Sequence, residues 1–177
     1  MPIKNILFLF IVFLVACSHQ DDTVPHSPPR DVNIITGNVL PLDVISYAQS
    51  LKGIPYKYGS IDPTQGFDCS GFITYVFNHF GINVPRSSVD FTFAGHEVDL
   101  KDAQAGDLIL FTGTDTTNRA VGHMGIILSS PGDAVKFIHS TSGKNYGITE
   151  TPFNAYYKAR YVKTIRVFLH NDLLHKP

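Results

Sequence analysis

The chain has 177 residues, of which 44% are hydrophobic and 16% charged, and its formal net charge is −1. That length fits one ordinary domain with short appendages, and that composition can bury a core. The basic residues are scattered, with no run that would track a phosphate backbone, which excludes a nucleic-acid binder.

The first segment departs from globular composition. After Lys4 the chain runs from Ile6 to Ala16 without a polar side chain. As a helix this run would span about 16 Å, well short of the roughly 30 Å of a bilayer core. A basic start, a short apolar run and a small residue before the end form an export signal over residues 1–16. The run closes as Leu14-Val15-Ala16-Cys17, which resembles a bacterial lipobox. The resemblance implies that Cys17 carries lipid, becomes the first residue of the mature chain and holds it to a membrane. Ser18, rather than Asp, follows the Cys, and in a Gram-negative source this resembles the pattern for the periplasmic face of the outer membrane. Only two cysteines are present. They could form one disulfide, but with Cys17 lipidated Cys69 is left as a lone thiol in an oxidising compartment.

Residues 17–40 are polar and punctuated by Pro25, Pro28 and Pro29, the composition of a flexible tether. Residues 32–36 could add a short strand. The folded domain is expected over 41–170, with 171–177 as a tail. Leu42, Ile45, Ala48 and Leu51 suggest a first amphipathic helix, ended by Gly53. A second helix begins after Asp68, which can cap it, and carries Phe72, Ile73, Val76, Phe77 and Phe80 on one stripe up to Gly81. Beyond it the pattern changes to strands at 108–111, 123–128, 135–140, 148–151 and 160–168, with Pro131-Gly132-Asp133 as a hairpin turn. Helices followed by an antiparallel sheet give an α+β domain.

Cys69 stands where the second helix begins. Helix-terminal N–H groups and the macrodipole favour thiolate, so a lowered thiol pKa is expected, and the same N–H groups can receive an oxyanion. Gly71 would keep the first turn slim for an approaching substrate. A thiol nucleophile needs an imidazole base, oriented by a third group. Of the eight histidines, His19, His26, His170 and His175 fall in the tether or tail. His79 lies far along the second helix, and His96 sits in a Gly-flanked loop. His123 and His139 remain, one on each strand of the expected hairpin. A pairing centred on Pro131 would set them directly opposite, about 5 Å apart.

These segments together resemble the NlpC/P60 cysteine peptidases, a papain-like group acting on peptidoglycan. The resemblance covers about residues 42–165. It rests on Gly53-Ile54-Pro55-Tyr56-Lys57-Tyr58-Gly59, Asp68-Cys69-Ser70-Gly71-Phe72, Pro85-Arg86-Ser87, Gly106-Asp107-Leu108-Ile109-Leu110-Phe111, Gly122-His123-Met124-Gly125-Ile126 and Phe137-Ile138-His139-Ser140. It implies Cys69 as nucleophile, His123 as base and His139 as the orienting residue. It places Tyr56 beside the nucleophile, and Asp68, Ser70, Arg86 and Ser87 toward substrate or oxyanion. One departure is Tyr58-Gly59-Ser60, where the family commonly has Gly-Gly after the aromatic.

The expected reaction is amide hydrolysis through a thioester, without metal or other cofactor. The implied substrate is a stem or cross-bridge peptide of peptidoglycan, cut at D-Glu(γ)–diaminopimelate or at a diaminopimelate–D-Ala cross-link. The expected partners are that wall and the membrane reached through Cys17, with the chain a monomer. Two rivals are a Cys-His amidase or acyltransferase on another amide or ester, and an idle wall-binding lipoprotein.

Overall fold

The computed structural model describes residues 32–115 and 117–168. The export signal, Cys17, most of the tether and the tail lie outside the described residues. Helix α1 (Pro41–Ser50) starts on a proline, whose missing N–H costs nothing in a first turn, and buries Val44, Ile45 and Ala48. A small hairpin of β1 (Ile61–Asp62) and β2 (Gly66–Phe67) follows. It leads into α2 (Cys69–His79). The Asp68 carboxylate accepts the Gly71 N–H at 2.6 Å and caps α2. Gly81, at φ +71°, takes the chain out of it. Phe72, Ile73, Val76 and Phe77 of α2 are fully buried, each contributing about 1.5–3 kcal/mol.

The remaining strands are β3 (His96–Val98), β4 (Leu108–Thr112), β5 (Val121–Ile127), β6 (Lys136–Thr141), β7 (Gly147–Pro152) and β8 (Tyr161–Arg166). They form one antiparallel sheet in the order β3-β8-β4-β5-β6-β7. Leu108, Leu110, Met124, Ile126, Ile138 and Ile165 face the core that α1 and α2 also line. Ile109, Phe111, Ile127 and Phe137 face the other way, onto Tyr157 of a short helix α3 (Ala155–Arg160). With both faces covered, all five residues of β4 are buried, which explains its apolar run from Leu108 to Phe111. The domain is α+β, as its sequence pattern implies.

Four details differ from the sequence reading. Residues 32–36 make a single bridge, Val32 to Ala94, because their neighbour over Asp90–Phe93 is a 3-10 turn. Strand β3 and the β1–β2 hairpin are too short to show periodicity. The last strand starts at Tyr161, and Arg160 ends α3, which Asn154 caps by accepting the N–H groups of Tyr156 and Tyr157. The β5–β6 hairpin pairs Ile126 with Ile138 and Ile127 with Phe137, so its centre lies one residue later than expected.

Asp107, fully buried ahead of β4, accepts Arg166 Nε at Oδ1 and Nη2 at Oδ2, both at 2.9 Å, tying β8 to the start of β4. Replacing Asp107 by Asn should lower the unfolding free energy by about 3–5 kcal/mol, because it leaves a buried guanidinium without its counter-charge. Replacing Asp99, which pairs with Lys101 at 3.5 Å with both side chains largely exposed, should change it by less than about 1 kcal/mol. Urea denaturation of the two variants checks the contrast.

Candidate active site

Cys69 begins α2, buried and free of any disulfide. Its thiol donates to the Gly122 carbonyl at 3.8 Å, on the main chain immediately before His123. Helix-terminal N–H groups alone would lower its pKa. Instead, burial first and the Asp68 charge second push the thiol up to about 11, against the pull of the Ser70, Cys69 and Met124 amides. Desolvation outweighs the helix terminus because the sulfur is shut in among core side chains.

The imidazoles of His123 and His139 meet at 2.8 Å, Nε2 of the first against Nδ1 of the second. They are not opposite one another as the sequence suggested. The observed register sets Gly125 across from His139, so the two rings are diagonal neighbours. They reach each other because position 125 has no side chain. A Cβ there would stand 3.2 Å from the His139 Cβ, 2.7 Å from Phe137 Cδ2 and 2.8 Å from the Ile138 carbonyl oxygen.

Beyond His139, its Nε2 lies 3.0 Å from Thr151 Oγ1 on β7. The chain is satisfied when His139 donates to Thr151 and accepts the Nε2–H of His123, leaving a lone pair on His123 Nδ1. Both rings are held neutral. Burial, then His139 and Arg160, keep His123 far below the usual imidazole range. Burial and Arg160 bring His139 down to about 3. At rest the site is therefore a neutral thiol and a neutral imidazole, and the thiol proton must leave as the sulfur attacks.

A cavity of about 750 Å³ opens onto this group, lined by Tyr56, Cys69, His123, Thr151, Tyr156, Tyr157 and Arg160 among others. Half-buried Tyr56 is held there by bonds from Phe67 N–H to Pro55 O and from Lys57 N–H to Phe67 O, both at 3.0 Å. Burial, with Cys69 next, raises its phenol above the ordinary value. Asp68, Ser70, Arg86 and Ser87 are not among the lining residues. Arg86 is bidentate to Asp68, with Nη2 to Oδ2 at 2.7 Å and Nη1 to Oδ1 at 3.1 Å, and its Nη1 donates to Ser70 Oγ at 3.0 Å. These three side chains brace the start of α2, while Ser87 is exposed on the following loop. Gly71 also has a different role from the one expected. A Cβ on it would meet the Ser60 carbonyl oxygen at 2.2 Å, so the glycine admits the preceding loop rather than a substrate. His79 stacks on Tyr47 at 3.7 Å between ring centroids, and His96 lies on edge strand β3. Neither lines the cavity.

Thr151, Tyr157 and Arg160 went unnoticed in the sequence. Thr151 offered no motif, and the other two belong to a helix of six residues, too short for its pattern to register. Among the described residues, no group of three or more His, Cys, Asp or Glu side chains is placed to hold a metal ion.

Residues 53–166 match the NlpC/P60 family. Gamma-DL-glutamyl hydrolase of Bacillus subtilis is 33% identical over 124 residues, covering 70% of this chain and 29% of that protein. Murein DD-endopeptidase MepS/Murein LD-carboxypeptidase of Escherichia coli is 31% identical over 118 residues, 66% of this chain and 57% of that protein. The chain thus matches well under two thirds of the length of either relative. The crystal structure of an NlpC/P60 family protein from Bacillus cereus superposes with a TM-score of 0.65 at 29% identity, covering 75% of this chain and 41% of that one.

Because burial holds the proton on sulfur, alkylation of Cys69 by iodoacetamide should be slow at neutral pH. Its rate should keep rising beyond about pH 8.5, where an ordinary thiol starts to level off. Peptide-mapped rates across pH check this, and a plateau below that value would mean the helix terminus dominates after all. Gly125→Ala should destabilise the fold by about 1–3 kcal/mol through overpacking. It should also part the imidazoles, so that His123, which His139 helps to hold down, titrates closer to the usual range in an NMR pH series.

Proposed function

The chain belongs to the NlpC/P60 family, and on that premise we propose that it is a cysteine peptidase acting on the peptide part of bacterial peptidoglycan. The observation that carries the reading is a free buried thiol at a capped helix start, sharing a cavity with an imidazole that a second imidazole holds at 2.8 Å. In this reading Cys69 is the nucleophile, His123 the base and His139, braced by Thr151, the residue that orients the base.

As the sulfur attacks the amide carbonyl, its proton passes to His123 Nδ1. The oxyanion is received by the amides at the start of α2, with the Tyr56 hydroxyl nearby. The carbon–nitrogen bond then breaks, and His123 returns the proton to the departing amine, leaving a thioester on Cys69. A water, losing a proton to His123, attacks that thioester and releases the new carboxylate and the thiol. The neutral resting pair suits this order, since thiol and imidazole are uncharged before the attack and the imidazole is uncharged again once the amine has taken the proton.

The bond is a diaminopimelate–D-Ala cross-link or D-Glu(γ)–diaminopimelate; one relative is named for a gamma-DL-glutamyl bond and the other as a murein DD-endopeptidase and LD-carboxypeptidase. We also infer from Leu14-Val15-Ala16-Cys17 that Cys17 bears lipid and holds the domain beside its wall substrate.

Digestion of defined muropeptides followed by mass spectrometry tests the activity and names the bond by its new amine terminus. Cys69→Ser and His123→Ala should each lower turnover about a thousandfold or more while the domain stays folded. His139→Ala should lower it by a smaller factor, because that ring positions the base and does not react. Undiminished turnover in Cys69→Ser would sink the mechanism, and cleavage confined to other amides or esters would favour an amidase or acyltransferase.

A further inference from the structure

Among the described residues, the buried charges are answered in kind, with one exception. Asp68 is paired with Arg86, and Asp107 with Arg166. Arg160, only 7% exposed, has no carboxylate partner among the described residues. Its Nη1 donates to the Tyr156 hydroxyl at 2.5 Å and its Nη2 to the Thr112 carbonyl at 2.7 Å. A guanidinium has five N–H donors in a planar fork, so several remain, and the buried Nε has no acceptor at all. A buried cation with only neutral partners is strongly disfavoured, and exceptions of this kind concentrate where a ligand supplies the missing charge.

The place of Arg160 says which ligand group that would be. It lines the same cavity as Cys69 and His123, a cavity that also carries Lys144 and no Asp or Glu. Its guanidinium lies 5.9 Å from the centroid of Tyr157, whose ring is stacked at 6.2 Å on His123. Arg160 therefore stands on the side of the base, and the base hands its proton to the departing amine. On that side the Tyr156 hydroxyl, carried on an exposed ring, accepts from Arg160 Nη1, a donor that a carboxylate oxygen would engage more strongly.

We propose that Arg160 is a specificity-determining residue that binds a free carboxylate on the carbon bearing the leaving amine. The inference rests on the peptidase reading and narrows it. In a diaminopimelate–D-Ala cross-link, the amine released belongs to a diaminopimelate centre whose own carboxyl is free. In a D-Glu(γ)–diaminopimelate bond inside a longer stem, the corresponding carboxyl is already tied up as an amide. Arg160 thus selects cross-links, and terminal residues with a free carboxylate, over bonds within an extended stem.

The test uses two synthetic cross-linked peptides that differ only at this carboxyl, one as the free acid and one as the primary amide. The wild-type chain should cut the acid with a kcat/KM at least about tenfold above the amide, the range expected for charge-assisted hydrogen bonds. In Arg160→Gln the ratio should fall below about threefold, and Arg160→Lys should restore part of it. A merely structural Arg160 would change both substrates alike, so an unchanged ratio in a folded Arg160→Gln protein overturns the proposal. If that variant does not fold, the wild-type ratio decides alone, and equal rates on acid and amide overturn it. If the wild type cuts neither peptide, the peptidase reading fails separately. Calorimetry with meso-diaminopimelate and its diamide then decides, since equal affinity for the two overturns the role of Arg160.

Discussion

Two imidazoles buried away from water must find their hydrogen bonds inside the protein, and much of the sheet is arranged around that requirement. His123 and His139 satisfy each other, and Thr151 closes the series on the neighbouring strand. The arrangement needs strands that carry these groups on one face, a residue without a side chain between the rings, and an aromatic cover in Phe111, Phe137 and Tyr157. Each condition has a local cause. The strands alternate their faces with period two, Gly125 vacates the slot, and Asn154 starts the helix that brings Tyr157 over the rings.

The same dryness sets the electrostatics. Removing water penalises every charged form, so thiol and imidazoles all rest neutral, and the Arg160 charge reinforces this on both rings. Helix-terminal donors oppose the trend at Cys69 without overcoming it. The carboxylate at Asp68 is tolerated next to the sulfur because its own needs are met by the Gly71 N–H and by Arg86. Cap, ion pair and nucleophile are thus one construction, and the helix delivers the sulfur to a fixed place because its first turn is pinned.

Much of this was legible in the chain alone. The α2 stripe, its Asp68 cap and Gly81 stop, the β4 run and the His123–His139 pair all follow from spacing and residue type. Register failed by a small step, because the turn around Gly132 takes in more chain than the proline suggested, and a one-residue shift of centre turns facing residues into diagonal ones. The protonation of Cys69 could not be read, since a helix N-terminus is visible in sequence and the depth of burial is not. The places of Gly71, Thr151 and Arg160 depend on contacts between segments far apart along the chain. Gly71 touches the loop at Ser60, and Arg160 spans from α3 to β4. Arg86 shows the converse. Its segment stands out in the sequence, but only the fold reveals that its charge is spent on Asp68.

Thr151 lies on β7, the last strand of the sheet, where local opening ordinarily costs less than in central strands. If β7 frayed, His139 would lose its far partner and the His123 ring would lose its stop. Beyond its ladder with β6, β7 is held down by Glu150, which receives Lys136, Lys52 and Gln49, and by the backbone of Gly53 and Ile54 bonded to Ile148. A knot of ions near the surface therefore acts as a latch on an imidazole pair deeper in the sheet. The alignment of that pair is in this way tied to the ionic strength of the medium, although neither ring is charged.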